Sequence, residues 1–299
     1  MNTNNIYGLC RSLIAFSLFI TLISNDSSIL FPAMGKLLEK PYLIGLSQIS
    51  IFTIFKENIV LAKWICVGIL ILVIIGWRPR YTVLFHWWVA FSFFISCPVI
   101  DGGDQIAAIL TFLIIPFGLT DKRKWHWKNK SDSINFYANV INYSFYCIIR
   151  IQASIIYFFA ASEKLSVPEW KNGTVIYYWL NHPTFGMNDS FRLVMDPIIE
   201  SPFVSILTWS VLILEVVLSM GLIADRKYRG YLLILGFTFH FLILVFHGLF
   251  TFFFYMTALL ILYLKPLDRP FDFKIIKQSI HLIFLKGWVK NGKYKKIKE

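Results

Sequence analysis

The first residues that could do chemistry lie in the stretch 142–170, most of which is one long apolar segment. It carries Arg150 near its middle and ends on Glu163-Lys164. A helix of about 20 apolar residues crosses the hydrocarbon core of a bilayer. An ionisable group at the centre of such a helix costs about 2.5–3.5 kcal/mol or more, so Arg150 marks either a site or a paired charge.

Glu215, in a later apolar segment, is the predicted partner of Arg150. Both residues lie roughly 12 Å from the same predicted membrane edge, at 1.5 Å per residue of helix. Opposite charges at one depth on consecutive antiparallel helices are expected to pair. Two interpretations are open here: a buried ion pair that stabilises the bundle, or part of a proton or substrate path.

Lys164 lies roughly 21 Å further along the same helix and is therefore predicted at the outer rim. A snorkelling interfacial lysine is one interpretation. The other rests on polar residues expected on the same side: Asp104 in the segment DGGDQ, and His240 and His247, which share one helix face. Asp104 is equally interpretable as a helix N-cap. In a shared cavity, a partly desolvated lysine could act as a base.

We therefore predict a polar cavity open to the exterior. The predicted catalytic residues are Lys164, Asp104 and His240, and the predicted structural ion pair is Arg150 with Glu215. The predicted substrate-binding residues are Asp101, Gln105, Glu163, Trp170, Glu215 and His247.

Composition sets the class of protein. The 299 residues are 57% hydrophobic and 15% charged, with a mean hydropathy of +0.63, which indicates an integral membrane protein. The net charge of +12 is not arranged as a basic stripe with stacking aromatics, so no nucleic-acid partner is expected. The four cysteines show no C-x-x-C spacing, so we expect no metal and no disulfide framework. H-E-x-x-H, G-x-S-x-G and a phosphate-cradling glycine loop do not occur.

The elements that must position these residues are predicted to be all α-helical. The fold class is a polytopic membrane helix bundle with about eight transmembrane helices and an amphipathic C-terminal interfacial helix. The predicted spans are 9–24, 60–76, 83–100, 104–119, 142–162, 203–223, 230–247 and 250–265. The segment 163–202 is expected to form interfacial helices, and 273–290 a basic amphipathic helix on an anionic leaflet. The predicted domains are a bundle at 1–265 and a cytoplasmic tail at 266–299.

Loop charges predict the orientation. With both termini in the cytoplasm, the short inner loops hold most of the lysines and arginines, and the connector 99–105 has two aspartates and no basic residue. We expect a multi-pass protein of a bacterial cell membrane, with the first span retained rather than cleaved.

Several motifs together resemble the HTTM domain shared with vitamin K-dependent γ-carboxylases. They are Arg150-Ile-Gln152, Tyr157-Phe158-Phe159-Ala160, Lys164-Leu165, Trp170-x-x-Gly173, Leu214-Glu215 and Phe239-His240. In that family the matching lysine is the base that deprotonates a reduced quinone, a role the resemblance assigns to Lys164. A histidine that assists it is replaced here by the segment 102–105, and we expect no large extracytoplasmic domain, which argues against carboxylation.

Other segments resemble the small HTTM proteins of sporulation-delaying toxin systems. They are GWRPRY at 76–81, His86-Trp87-Trp88, DGGDQI at 101–106 and DKRKWHW at 121–127. The implied function is maturation of an exported antimicrobial (bacteriocin-type) peptide, with the toxin precursor peptide and a small co-encoded protein as partners, besides the lipid bilayer.

Three functions are open from sequence. The first is maturation of the toxin peptide at the outer face, with the cavity either catalytic or only a docking site and no cofactor expected. The second is a quinol-dependent oxidoreductase or carboxylase-like enzyme. The third is a non-enzymatic immunity or scaffold protein.

Overall fold

The computed structural model describes residues 5–31, 45–98, 100–128 and 135–266, and within these ranges the chain is helical without a β-strand. The long helices are numbered here α1 (Asn5–Ser24), α2 (Ile59–Ile74), α3 (Pro79–Ser96), α4 (Gly102–Leu113), α5 (Phe136–Lys164), α6 (Phe203–Ser219), α7 (Arg226–His247) and α8 (Phe250–Leu264). Shorter α-helical pieces are Ser27–Leu30, Ile51–Ile54, Ile115–Leu119, Pro168–Lys171, Val175–Leu180 and Arg192–Ile199. Single 3-10 turns are Leu46–Ile49, Lys56–Asn58, Asp189–Phe191 and Met220–Leu222. The all-α prediction is confirmed.

Five of the described helical segments are long and apolar enough to cross a membrane. They are Asn5–Ser24, Lys56–Ile74, Phe136–Lys164, Phe203–Leu222 and Arg226–His247. The helices α4 and α8 are apolar but shorter. The predicted span 104–119 is interrupted at Ile114, because Pro116 cannot continue the hydrogen bonds of the preceding helix. The helices indicate a membrane protein, and the count of eight spans stays a prediction.

The short helix α8 lies at the centre of the bundle. Ten of its fifteen residues are buried, and it packs against α1, α4, α5 and α7. A second apolar cluster joins α1 to α2 and α3, so α1 belongs to both halves of the core. The outward faces of α2, α6 and α7 carry exposed apolar side chains such as Trp64, Ile213 and Ile234. This distribution suits helices whose outer faces contact lipid.

The bundle has two ends that differ in chemistry. At the first, called here the Lys164 end, α5 and α7 end and α4 begins. At the second, the Arg150 end, α3 and α7 begin and α8 ends. A left-handed Gly248, with φ 68°, lets the chain reverse sharply from α7 into α8.

The segment 163–202 forms the expected short helices at the Lys164 end, and Trp170, Val175 and Leu180 are buried there. The predicted amphipathic helix at 273–290 lies outside the described residues, as does the tail beyond Pro266.

Candidate functional site

A lysine–glutamate pair is the centre of the candidate site. Lys164 Nζ donates hydrogen bonds to Glu215 Oε1 at 2.7 Å and Oε2 at 2.8 Å, and to Ala160 O at 3.2 Å. The side chain of Glu215 is 6% exposed and that of Lys164 is 25% exposed. Helical side chains lean toward the N-terminus of their own helix, so Lys164 at the end of α5 reaches back into the bundle.

The predicted ion pair between Arg150 and Glu215 is wrong. Arg150 donates instead to the carbonyl oxygens of Leu222 at 2.9 Å and Tyr263 at 3.2 Å, where the helices α6 and α8 come to their ends. These carbonyls lack helical partners and carry the negative end of each helix dipole, so they can bind a guanidinium. Ser154 Oγ donates a hydrogen bond to Ser219 O, so these two residues lie at one level of the bundle. Glu215 is one turn of α6 nearer to the Lys164 end and therefore does not lie at the depth of Arg150, as the sequence predicted.

A tyrosine and a histidine form a second polar pair in the same wall. Tyr157 Oη lies 3.0 Å from His240 Nε2, and both residues are almost fully buried. The other ring nitrogen of His240 has no hydrogen-bond partner among the described residues. A buried nitrogen without a partner costs free energy, and a bound polar group could satisfy it.

Both pairs border one cavity of about 490 Å³ at the Lys164 end. Its other polar lining residues are Asp101 and His247, and aromatic rings including Trp170, Trp179, Phe239 and Phe252 cover much of the rest. Lys164 Nζ lies 5.3 Å from the ring centre of Trp170, within the range of a cation–π contact. The cavity is thus apolar over most of its surface, with a charged pair at one side.

Of the nine residues predicted to be catalytic or substrate-binding, six line this cavity and three do not. Lys164, His240, Asp101, Trp170, Glu215 and His247 are lining residues, whereas Asp104, Gln105 and Glu163 are outside the lining. Gln105 and Glu163 are exposed on the surface. The structure therefore places Lys164 and His240 in the lining of one cavity and leaves Asp104 outside that lining.

A capping box explains the position of Asp104. Its Oδ2 accepts from the Asp101 N–H at 3.1 Å, while Asp101 Oδ1 accepts from the Asp104 N–H at 3.0 Å. This reciprocal arrangement fixes the start of α4 and directs the Asp104 carboxylate to the backbone. Asp101 borders the cavity in its place, and burial raises the pKa of its carboxyl.

A second, apolar groove of about 340 Å³ lies between α6 and α7. It shares Ile176, Val211, Phe239, Ile243 and His247 with the first cavity. His247 Nδ1 lies 2.7 Å from Phe185 O, which ties the end of α7 to the segment after Val175–Leu180. The two spaces are therefore adjacent, and the charged pair borders the first of them.

Tyr157 is the site residue that sequence reasoning missed. It lies seven residues before Lys164, which places both on one face of α5 after two helical turns. That spacing was available in the sequence. Within the described residues, no group of three or more His, Cys, Asp or Glu side chains is arranged to hold a metal ion.

The geometry limits what Lys164 can do. An ammonium group has three N–H donors, and all three are engaged, two by Glu215 and one by Ala160. An ammonium nitrogen has no lone pair, so in this arrangement Lys164 donates hydrogen bonds and does not accept them. The arrangement can present a charge pair and a buried imidazole to a ligand, and Lys164 must first lose a proton before it can act as a base.

Two proteins of Bacillus subtilis (strain 168) are similar to nearly the whole chain. The uncharacterized protein YitO is 39% identical over 281 residues, which cover 92% of this chain and 90% of YitO. The sporulation-delaying protein SdpB is 37% identical over 289 residues, which cover 95% of this chain and 88% of SdpB. No protein-family model matches the chain. No solved structure matches it.

Identity at this level along nearly the full length of both relatives establishes common descent, and the chain belongs to the family that contains YitO and SdpB.

Proposed function

We propose that this chain is a multi-pass HTTM-type membrane protein that takes part in the maturation of an exported, sporulation-delaying-type toxin peptide. Its relative SdpB is named as a sporulation-delaying protein, and five described segments are apolar enough to cross a membrane. The observation that carries the proposal is the Lys164–Glu215 pair in the wall of an apolar cavity. The toxin precursor would bind there, with a small co-encoded protein acting beside it.

The cavity suits an apolar peptide segment that carries a few polar groups. The two adjacent spaces supply apolar and aromatic walls, and the charged pair and the free nitrogen of His240 supply polar contacts in the first. Ligand sites of this kind use apolar surface for affinity and a few polar groups for orientation. In the proposed complex, a carbonyl or carboxylate oxygen of the precursor replaces Glu215 or Ala160 as the acceptor of one Lys164 N–H.

The quinol-dependent alternative requires Lys164 to accept a proton directly. Its three donors are already engaged, which favours a binding and orienting role over that of a free base. Maturation that persists after depletion of cellular quinone supports the peptide-binding proposal, and maturation that stops supports the alternative.

The test is mass spectrometry of the secreted peptide from cells that express each variant at equal protein level. Lys164→Met, Glu215→Gln and His240→Ala should each reduce the matured peptide by about tenfold or more, the effect of losing about 1.4 kcal/mol of interaction. Matched controls are Lys171→Met and Glu163→Gln, which change exposed residues outside the cavity. These controls should mature the toxin normally.

Normal maturation by all three cavity variants would refute a role for the cavity and favour a scaffold or immunity protein. Equal loss in the cavity variants and the controls would assign the effect to general damage. The proposal requires that maturation be lost only in the variants of residues that line the cavity.

A further inference from the structure

We propose that a second site, at the Arg150 end of the bundle, binds the phosphate headgroup of an acidic phospholipid. It is a cavity of about 200 Å³ lined by Arg78, Arg80, Tyr81, Asp121, Lys122 and Arg123. Four basic side chains and one carboxylate therefore surround a space of headgroup size. This site lies at the opposite end of the bundle from the peptide cavity and does not depend on the proposed function.

Internal pairing leaves three of these cations available. The Asp121 carboxylate is fully buried and is bound by Arg123, with Nε at 2.9 Å from Oδ1 and Nη2 at 2.7 Å from Oδ2. Arg123 also donates to the carbonyl oxygen of Lys128. Within the described part of the chain, Arg78, Arg80 and Lys122 form no ion pair with a carboxylate. An anion is the ligand that this unbalanced charge would attract.

Hydrogen bonds between two chain segments fix the backbone from which these side chains extend. The turn at 76–78 and the loop at 121–127 are joined by the Arg78 N–H to Lys124 O at 2.8 Å and the His126 N–H to Gly76 O at 3.0 Å. Trp127 Nε1 adds a bond to Ile75 O at 3.0 Å. A site assembled before the ligand arrives avoids part of the entropic cost of binding.

Arg78 has an unusual backbone conformation. It is the one non-glycine residue with positive φ, at 39°, in the part of the chain that the structure describes. Residues with a Cβ are strained in this region, and such strain recurs at ligand sites where the surroundings enforce it. The hydrogen bond from its N–H to Lys124 O holds this backbone conformation, and Arg78 is one of the residues that line the cavity.

The surroundings favour a lipid over free phosphate as the source of the anion. Tyr81 is 59% exposed beside the cavity, and Trp77 is 37% exposed on the same turn. Tyrosine and tryptophan concentrate at the headgroup level of membranes. The next turn of α3 exposes Leu84 and Phe85, an apolar surface on which acyl chains can lie. A phosphate held at Arg78, Arg80 and Lys122 would place its glyceride portion beside these rings.

The experiment uses the full chain in a nonionic detergent and counts bound lipid by native mass spectrometry. Dioleoylphosphatidylglycerol is the acidic probe, and dioleoylphosphatidylcholine is the zwitterionic comparison. The variant Arg78→Asn/Lys122→Gln should weaken binding of the acidic lipid by about thirtyfold and leave the zwitterionic lipid unchanged, since each of the two basic residues removed contributes about 1 kcal/mol near an anionic surface. Asparagine tolerates positive φ, so the backbone at 78 is preserved.

Lys227→Gln is the matched control. Lys227 is an exposed lysine at the start of α7, at the same end of the bundle but outside the cavity. It should keep the affinity for the acidic lipid within about twofold, because it removes one distant charge. Lys122→Gln alone, in an exposed loop position, provides a variant whose folding is not at risk.

Unchanged affinity of the Arg78→Asn/Lys122→Gln and Lys122→Gln variants would overturn the site. An equal loss of affinity in Lys227→Gln would contradict the site and show a general effect of positive charge. Displacement of the bound lipid by excess inorganic phosphate would assign the site to a soluble phosphate instead. Loss that is confined to the two cavity variants and resists inorganic phosphate supports the lipid site.

Discussion

At the residue scale, Lys164 and Glu215 depend on each other. A charge removed from water in an apolar bundle is costly, and its partner repays that cost only when the hydrogen bonds are well formed. Here both carboxylate oxygens accept from one ammonium, with distances of 2.7 and 2.8 Å. Removing one member leaves the other partly buried without its counter-charge.

The double variant Lys164→Met/Glu215→Gln should therefore be less damaging than the two single variants suggest. Each single variant should lower the free energy of unfolding by about 2–4 kcal/mol, and the double by about 1–3 kcal/mol less than their sum. The measurement is thermal or denaturant unfolding of the full chain in detergent. Additive effects would show that the two charges do not stabilise each other.

His126 is a second residue whose environment dictates its protonation. Its ring lies against two glycines, since a Cβ on Gly8 or Gly76 would come within 2.7 or 2.5 Å of His126 Cδ2. Arg11 Nη1 lies 3.5 Å from Nδ1, and Ser12 Oγ lies 3.2 Å from Nε2. A guanidinium only donates, so Nδ1 accepts and the proton resides on Nε2. Burial, assisted by Arg11 and Arg123, lowers the pKa of His126 from 6.5 to about 2.

This depressed pKa predicts acid sensitivity. Below pH 6.5 the unfolded chain binds a proton at position 126 that the folded protein does not, so stability falls as the pH falls. The expected slope is about 1.4 kcal/mol per pH unit, or about 2 kcal/mol between pH 6.5 and 5. Unfolding measured across this range should show a smaller slope for His126→Gln. An unchanged slope would assign the acid loss to other groups.

At the element scale, the contact between α4 and α8 fixes one side of the candidate site, which both helices line. Gly103, in the first turn of α4, lies so close to α8 that a Cβ would come within 2.5 Å of Tyr255 Cδ2 and 2.9 Å of Asp101 Oδ1. Tyr255 is fully buried and cannot move aside without disturbing the core. The neighbouring Gly102 has no heavy atom within 4 Å of such a Cβ.

Gly103→Ala should consequently lower the stability by about 1–3 kcal/mol, the usual cost of an overpacked core contact. Gly102→Ala is the matched control and should be neutral or slightly stabilising, by up to about 1 kcal/mol, because alanine restricts the unfolded chain. Melting temperatures of the two variants in one detergent provide the comparison. Equal melting temperatures would contradict the close approach of α4 to α8.

The elements themselves were largely predictable. The apolar segments at 142–162, 203–223 and 230–247 correspond to α5, α6 and α7, because a long apolar run in a membrane protein must satisfy its backbone as a helix. Helix ends were less predictable. The segment at 104–119 ends its first helix at Leu113, and α5 begins six residues earlier than predicted, at Phe136.

At the scale of the whole molecule, the two ends of the bundle have different chemistry. The Lys164 end holds an apolar cavity with a charged pair, and the Arg150 end holds an excess of basic residues. The positive-inside rule assigns a basic end to the cytoplasm. The proposed orientation therefore places the cavity at the Lys164 end outside the cell, where the proposed exported precursor could reach it.

Cysteine labelling tests this orientation. Cys147, the native cysteine that is partly exposed, is first replaced by serine. In this background, Gly102→Cys should react with an impermeant maleimide in intact cells. Lys122→Cys, in an exposed loop at the Arg150 end, should react only after permeabilisation. The reverse pattern would invert the topology and exclude peptide binding from the exterior.

The sequence by itself determined the class of protein, most of its long helices and six of the residues that line the cavity. Those properties follow from local composition and from the helical repeat, which places Lys164 with Tyr157, and His240 with His247, on shared faces. Only the tertiary structure decided the partner of Glu215 and the exclusion of Asp104. Both depend on how far one helix is displaced along another and on where a side chain turns at a helix end. These offsets arise from packing between distant segments, which the spacing of residues within one segment does not encode.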